Sequence, residues 1–210
     1  DVEGDEEIPE SALEAIYDQA IANLSEVNCV ILSDYGQGVI YDQGVERITK
    51  HAKDNNIPII ADPKLTGLHR THEVDWIIFQ SRGFDLMKRR IGESDDRLAA
   101  ESLIKSYDWK HLVVLAGESG VTIYSKDKET VHAPCTLSQL RQIIGLIDAA
   151  VVAIAVSISS GFDVSDTALL TNAACECILG AEATDSFSLS REDLIHRVGE
   201  IAWNLQVSKR

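Results

Sequence analysis

Short runs of Val and Ile alternate with segments whose apolar residues recur every three or four positions. This alternation predicts βαβ units feeding a mostly parallel sheet with helices on both faces. From Ser11 to Leu24, Leu13, Ile16, Tyr17, Ala20, Ile21 and Leu24 share one stripe behind Pro9, so a helix opens the pattern. Strands are expected at Cys29 to Ser33, Ile57 to Ala61, Trp76 to Phe79 and Leu112 to Leu115, with helices at about Asp42 to Asp54 and Glu93 to Tyr107. Val121 to Tyr124 and Thr130 to Ala133, separated by the charged turn Lys126 to Glu129, predict an antiparallel corner. Helices at Leu146 to Ser159, Ser165 to Leu179 and Arg191 to Gln206 complete the reading.

The stretch Ile143 to Gly161 is apolar enough to raise a membrane span. It contains Asp148 and three serines, lacks basic flanks and follows an α/β pattern, so a core helix is expected and no membrane. The 210 residues suit one domain, expected over 11–210, with the acidic residues 1–10 as a tail or linker. The first ten residues hold six acids and no signal-peptide pattern. With 19 basic and 34 acidic residues the net charge is −15, which argues against nucleic acid as a partner. Cys29, Cys135, Cys175 and Cys177 show no CxxC spacing, so reduced thiols in a cytoplasmic or other reducing compartment are expected. No close metal-ligand spacing appears among the six histidines. Lys88-Arg89-Arg90 reads as the basic end of a short helix.

In open α/β sheets ligands sit at the carboxyl ends of the strands. The loops concerned are Asp34 to Gly38, Asp62 to Lys64, Gln80 to Gly83, Ala116 to Gly120 and Gly145 to Asp148. Ser33-Asp34-Tyr35-Gly36-Gln37-Gly38-Val39 and Ala61-Asp62-Pro63-Lys64, followed by Gly117-Glu118-Ser119-Gly120, Gly145 with Asp148, and Asn172-Ala173-Ala174, resemble the carbohydrate kinases of the PfkB/ribokinase superfamily, on the heptose-7-phosphate kinase side. The resemblance implies a ribokinase-like three-layer α/β/α fold of which the N-terminal part and lid have no counterpart here. It also implies Asp148 as catalytic base, Asp34 and Lys64 at the substrate, Gly117, Glu118, Gly120, Gly145 and Asn172 at the nucleotide, and ATP with Mg2+ as cofactors of an active kinase.

Each of these residues also has a plainer reading. Asp148 can cap the helix that it begins, which is the expectation here; Asp34 can close its own turn; Lys64 can be a solvated turn residue; the glycines can serve a hairpin. The family's D-x-x-G-A-G-D signature reads Gln142-Ile143-Ile144-Gly145-Leu146-Ile147-Asp148. Ile147 stands in a glycine position, where a β-branched residue at positive φ is disfavoured and fills the space of an anion hole. Leu115 replaces a threonine of the family, and Gly83, beside Arg82, takes the place of the glutamate that organises magnesium. Two functions are therefore expected: an impaired or inactive kinase-derived domain acting as a binding or assembly module, requiring no cofactor, or an ATP-dependent kinase of a heptose 7-phosphate. A homo-oligomer or protein partner is expected to cover the side of the sheet that lacks its counterpart.

Overall fold

The Val- and Ile-rich runs form the strands of one sheet, and their order follows the chain. The computed structural model describes residues 8–182 and 189–207. Strands β1 (Val30–Ser33), β2 (Ile59–Asp62), β3 (Trp76–Gln80) and β4 (His111–Leu115) lie side by side in parallel. Strands β5 (Val121–Ser125) and β6 (Val131–Ala133) extend the sheet antiparallel, as the turn-rich corner predicted. Most of the acidic tail expected over residues 1–10 lies outside the described residues.

Parallel connections cross over right-handedly, so four parallel strands added in one direction put all their connections on one face. That face carries α1 (Glu10–Ala22), α2 (Asp42–Asp54), α3 (Ser81–Ile91) and α4 (Asp96–Tyr107). Their buried residues Tyr17, Val45, Ile48, Phe84, Met87 and Leu103 pack on Val30, Leu32, Ile59, Ile77, Phe79 and Leu112 of the strands. The alternate strand residues, among them Ile60, Ile78, Val113 and Ile123, point the other way and are covered by α5 (Leu146–Ser159) and α6 (Val164–Gly180). Helix α7 (Arg191–Val207) packs on α6. The result is the expected three-layer α/β/α arrangement.

Helix ends follow local chemistry. Asp95 and Asp163 cap α4 and α6 by accepting from the amides of Leu98 (2.9 Å) and Asp166 (2.8 Å). Gly92, at φ 73°, ends α3 in the left-handed conformation open to glycine. Helix α2 docks on α1 through Gly44, where a Cβ would lie 2.5 Å from the rings of both Tyr17 and Tyr41.

Three expectations change. The first helix stops at Ala22, and Leu24–Glu26 forms a 3-10 turn instead. The segment Gln80 to Gly83 is no loop: Gln80 ends β3 and Ser81 begins α3 directly, burying Phe84 and Met87 one turn apart. The helix expected from Glu93 starts at Asp96, because the Glu93 carboxylate accepts from the amides of Ser94 and Asp95 and holds them in a turn. The apolar stretch at α5 is a helix with a buried side and an exposed one, and among the described residues no helix is long and apolar enough to cross a membrane.

Candidate functional site

The chain leaves β1 at Asp34, whose amide bonds to the Asp62 carbonyl at the end of β2 (2.9 Å), so the two strand ends stay level. The Asp34 carboxylate is nearly buried and turns back to accept from the Gly36 amide at 2.8 Å, the turn-closing role that its type favours. Its other oxygen faces Arg70 Nη1 at 3.5 Å. Arg70 reaches it from the 3-10 segment Leu65–Thr71, which approaches so closely at Gly67 that a Cβ there would sit 2.5 Å from Asp34 Oδ2.

Gly36 and Gly38, at φ 76° and 83°, carry the chain through a tight exposed loop. Tyr35 projects from it, 63% exposed, and donates its hydroxyl to Asp148 Oδ1 at 2.8 Å. That bond joins residues 113 positions apart and ties the end of β1 to the start of α5. The stem of Lys64 lies over the same loop: a Cβ on Gly36 would meet its Cγ and Cε at 3.7 Å.

Asp62 stands among these groups. Burial raises its pKa to about 6, with the negative charges of Asp148 and Asp34 adding to the rise and Lys64 opposing it. Three carboxylates therefore share this end of the sheet with Lys64 beside them and Arg70 behind Asp34, and burial together with the neighbouring negative charges holds a proton on Asp62 up to about pH 6. Asp62 was not singled out from sequence. Its position at the carboxyl end of a parallel strand, directly before Pro63-Lys64, is the signal that marks it.

The start of α5 differs from both expectations. Gly145 takes the left-handed conformation at φ 82°, and the helix begins at Leu146, so Ile147 has ordinary helical backbone geometry and suffers no positive-φ strain. Its side chain still occupies space, packing half-buried against the core of this face. Nor does Asp148 cap the helix, since no side-chain cap bond forms at α5; its carboxylate faces outward to Tyr35 and keeps only the favourable dipole position in the first turn. Both side-chain amide atoms of Gln142, just upstream, are buried without a hydrogen-bond partner.

The structure thus brings Asp34, Lys64, Gly145 and Asp148 to one region. The remaining candidates follow the carboxyl end of β4 or lie on α6. Gly117–Ser119 is a 3-10 turn after β4, with Gly117 against Leu140. Gly120 closes that hairpin: a Cβ would lie 2.1 Å from the Ala133 carbonyl oxygen, so the backbone itself requires glycine there. Asn172 is wholly inside α6, and its Nδ2 donates to the Pro134 carbonyl (3.1 Å) and to Glu176 (3.0 Å). As for magnesium, the position of the family's glutamate is Gly83 on α3, which offers no side-chain oxygen, and among the described residues no group of three acidic, His or Cys side chains could hold a metal. The residues present do not fit that ion.

No family model matches the chain. Its sequence is similar to curated proteins named bifunctional protein HldE. That of Aliivibrio fischeri is 26% identical over 178 residues, covering 84% of this chain and 37% of the relative. That of Photobacterium profundum is 29% identical over 168 residues, covering 79% and 35%. In structure the chain is similar to phosphofructokinase-2 from Escherichia coli in complex with potassium, with a TM-score of 0.74 at 14% identity over 90% of this chain and 63% of that one. Ribokinase of Arabidopsis thaliana complexed with ribose and ATP gives a TM-score of 0.72 at 15% identity, over 86% and 59%. The chain spans well under half the length of these HldE proteins and about three fifths of the solved chains. The fold is thus ribokinase-like, and over about four fifths of its length the chain is similar in sequence to the HldE proteins.

Proposed function

We propose that this is a sugar-kinase-derived domain with impaired phosphoryl transfer, working as a binding or assembly module. One observation carries the reading: where a polyphosphate would approach α5, Asp34, Asp62 and Asp148 gather beside Lys64, with Arg70 already engaged by Asp34, and burial together with their mutual repulsion holds Asp62 protonated up to about pH 6. Phosphoryl transfer depends on donors and cations arranged around the moving group. Here carboxylates dominate, Ile147 fills a glycine position, and the magnesium-organising position is Gly83. Carboxylates suit sugar hydroxyls better, which they accept as hydrogen bonds, while Lys64 can meet one phosphate.

The grouping of Asp148, Asp34 and Lys64 at the strand ends also favours a second reading, an ATP-dependent kinase of a heptose 7-phosphate with Asp148 as base. One experiment separates the two. Purified chain supplied with heptose 7-phosphate, ATP and Mg2+ is expected to turn over negligibly, with Asp148→Asn making no difference. ATP with Mg2+ is expected to leave the melting temperature unchanged, whereas a ligand at about 100 times its Kd would add about 2.7 kcal/mol. Turnover that Asp148→Asn abolishes would establish the kinase reading instead.

A further inference from the structure

Apart from the strand-end site, helix α2 and the chain from the 3-10 segment Leu65–Thr71 onward enclose a groove of about 680 Å³, a size common among small-molecule sites. Its floor is made of Val45 and Thr49, both buried. Ion pairs cross it near both ends of α2. At one end Arg70 Nε donates to Asp42 Oδ1 at 2.6 Å, with His69 Nε2 3.1 Å from the same oxygen. At the other, Lys53 Nζ lies 2.6 Å from Glu73 Oε1. These ties hold the helix against the facing segment, so the groove is formed before any ligand arrives.

Thr49 is the odd member. The hydroxyls of Thr71, Ser157 and Thr167, in their own helices, donate to a carbonyl three or four residues back. Thr49 is 8% exposed, yet among the described residues its hydroxyl has no hydrogen-bond partner. A buried hydroxyl left unbonded is costly, and this one stands at the floor of a groove that a ligand can enter. The lining carries four acids against three Lys and Arg residues, and the two ion pairs oppose most of these charges to each other. Little field is left to attract a charged ligand.

We infer that this groove binds a neutral polyhydroxyl ligand, a sugar without phosphate, whose ring lies on Val45 and one of whose hydroxyls pairs with Thr49. A hydroxyl both donates and accepts, which is what an unpartnered threonine needs. In each crossing pair one carboxylate oxygen takes the cation, and the other, Oδ2 of Asp42 and Oε2 of Glu73, is left to accept from further ligand hydroxyls. The site is a second one, and it stands whether or not the strand-end site transfers phosphate.

The test titrates glucose, mannose and maltose into the isotope-labelled 210-residue chain, with inorganic phosphate as the charged probe, and reads amide shifts by NMR. Saturable shifts over residues 45–53 are expected with at least one of the sugars and none there with phosphate. Thr49→Val keeps the branched shape and removes only the hydroxyl. It is expected to weaken sugar binding at least about tenfold while keeping or raising the melting temperature, since an unbonded buried hydroxyl is lost. No shifts with any of the three sugars overturns the inference, as does phosphate shifting residues 45–53. A Thr49→Val chain that binds as well, or that melts lower, overturns it too, because the hydroxyl would then serve no ligand or already be bonded within the fold. Sugar shifts confined to residues 34–38 also overturn it, and they would support sugar binding at the strand-end site alone.

Discussion

Glu176 and Asp62 are both carboxylates drawn into the fold, and they are treated in opposite ways. Glu176 is fully buried on α6 and saturated: Oε1 accepts from the Thr136 amide (2.6 Å) and Asn172 (3.0 Å), while Oε2 accepts from the Thr136 hydroxyl (3.0 Å) and Arg197 Nε (2.6 Å). Asp62, at the end of β2, gains no hydrogen bond to its carboxylate among the described residues and faces Asp34 and Asp148 instead. The first arrangement fastens α7 and the segment after β6 to α6. The second leaves chemistry unspent at the carboxyl end of the parallel strands, where open α/β sheets take their ligands. What separates a structural acid from a site acid here is the supply of donors, not the degree of burial.

The strongest way to break this contrast is Arg197→Ala, which leaves Glu176 buried without its cation. A loss of about 3–5 kcal/mol is expected in urea unfolding, with α7 detaching first in hydrogen exchange. Thr136→Ala keeps the ion pair and removes one hydroxyl donor to a charged acceptor, for an expected loss of about 1–2 kcal/mol in the same measurement.

The smallest effect has the opposite sign. Asp62 is protonated up to about pH 6 in the folded chain, against an ordinary value of 3.8, so its contribution to stability is full below 3.8 and is lost as pH rises through about 6. Asp62→Asn is therefore expected to stabilise the chain at neutral pH by about 1 kcal/mol, after discounting ~1.4 kcal/mol per pKa unit for the solvent that the group still meets. His111 supplies a built-in control. Stacked on Trp76 and desolvated, it titrates at about 4 instead of 6.5, so its contribution is present above 6.5 and is lost as pH falls through about 4. In the parent chain the two trends oppose each other. In the Asn variant only the histidine trend remains, and urea midpoints should climb more steeply between about pH 4 and about pH 6. Equal slopes would show that Asp62 titrates ordinarily.

Periodicity made the fold readable. Helices α2 and α5 lie where they were expected, α2 with a one-sided apolar stripe and α5 as a nearly unbroken apolar run following an α/β pattern. The junction at Gln80–Ser81 escaped because β3 runs into α3 with no linker, and Gly83 looked like a turn although a Cβ there would make only an ordinary 3.5 Å contact with Phe79. In the site, Asp34 and Lys64 could be named from strand-end motifs and Asp148 from the start of a helix, each through the family pattern it resembles. The bond from Tyr35 to Asp148 and the crowding of Asp62 could not, since they join residues far apart in sequence and only the closed sheet makes them neighbours. The positive-φ objection to Ile147 failed for a related reason: which residue takes the left-handed position depends on where the helix begins, and Gly145 takes it first.

The bond from Tyr35 to Asp148 has a consequence for motion: it ties the loop after β1 to the first turn of α5, so breaking it with Tyr35→Phe should let that exposed loop exchange its amides faster while the buried strands keep their protection.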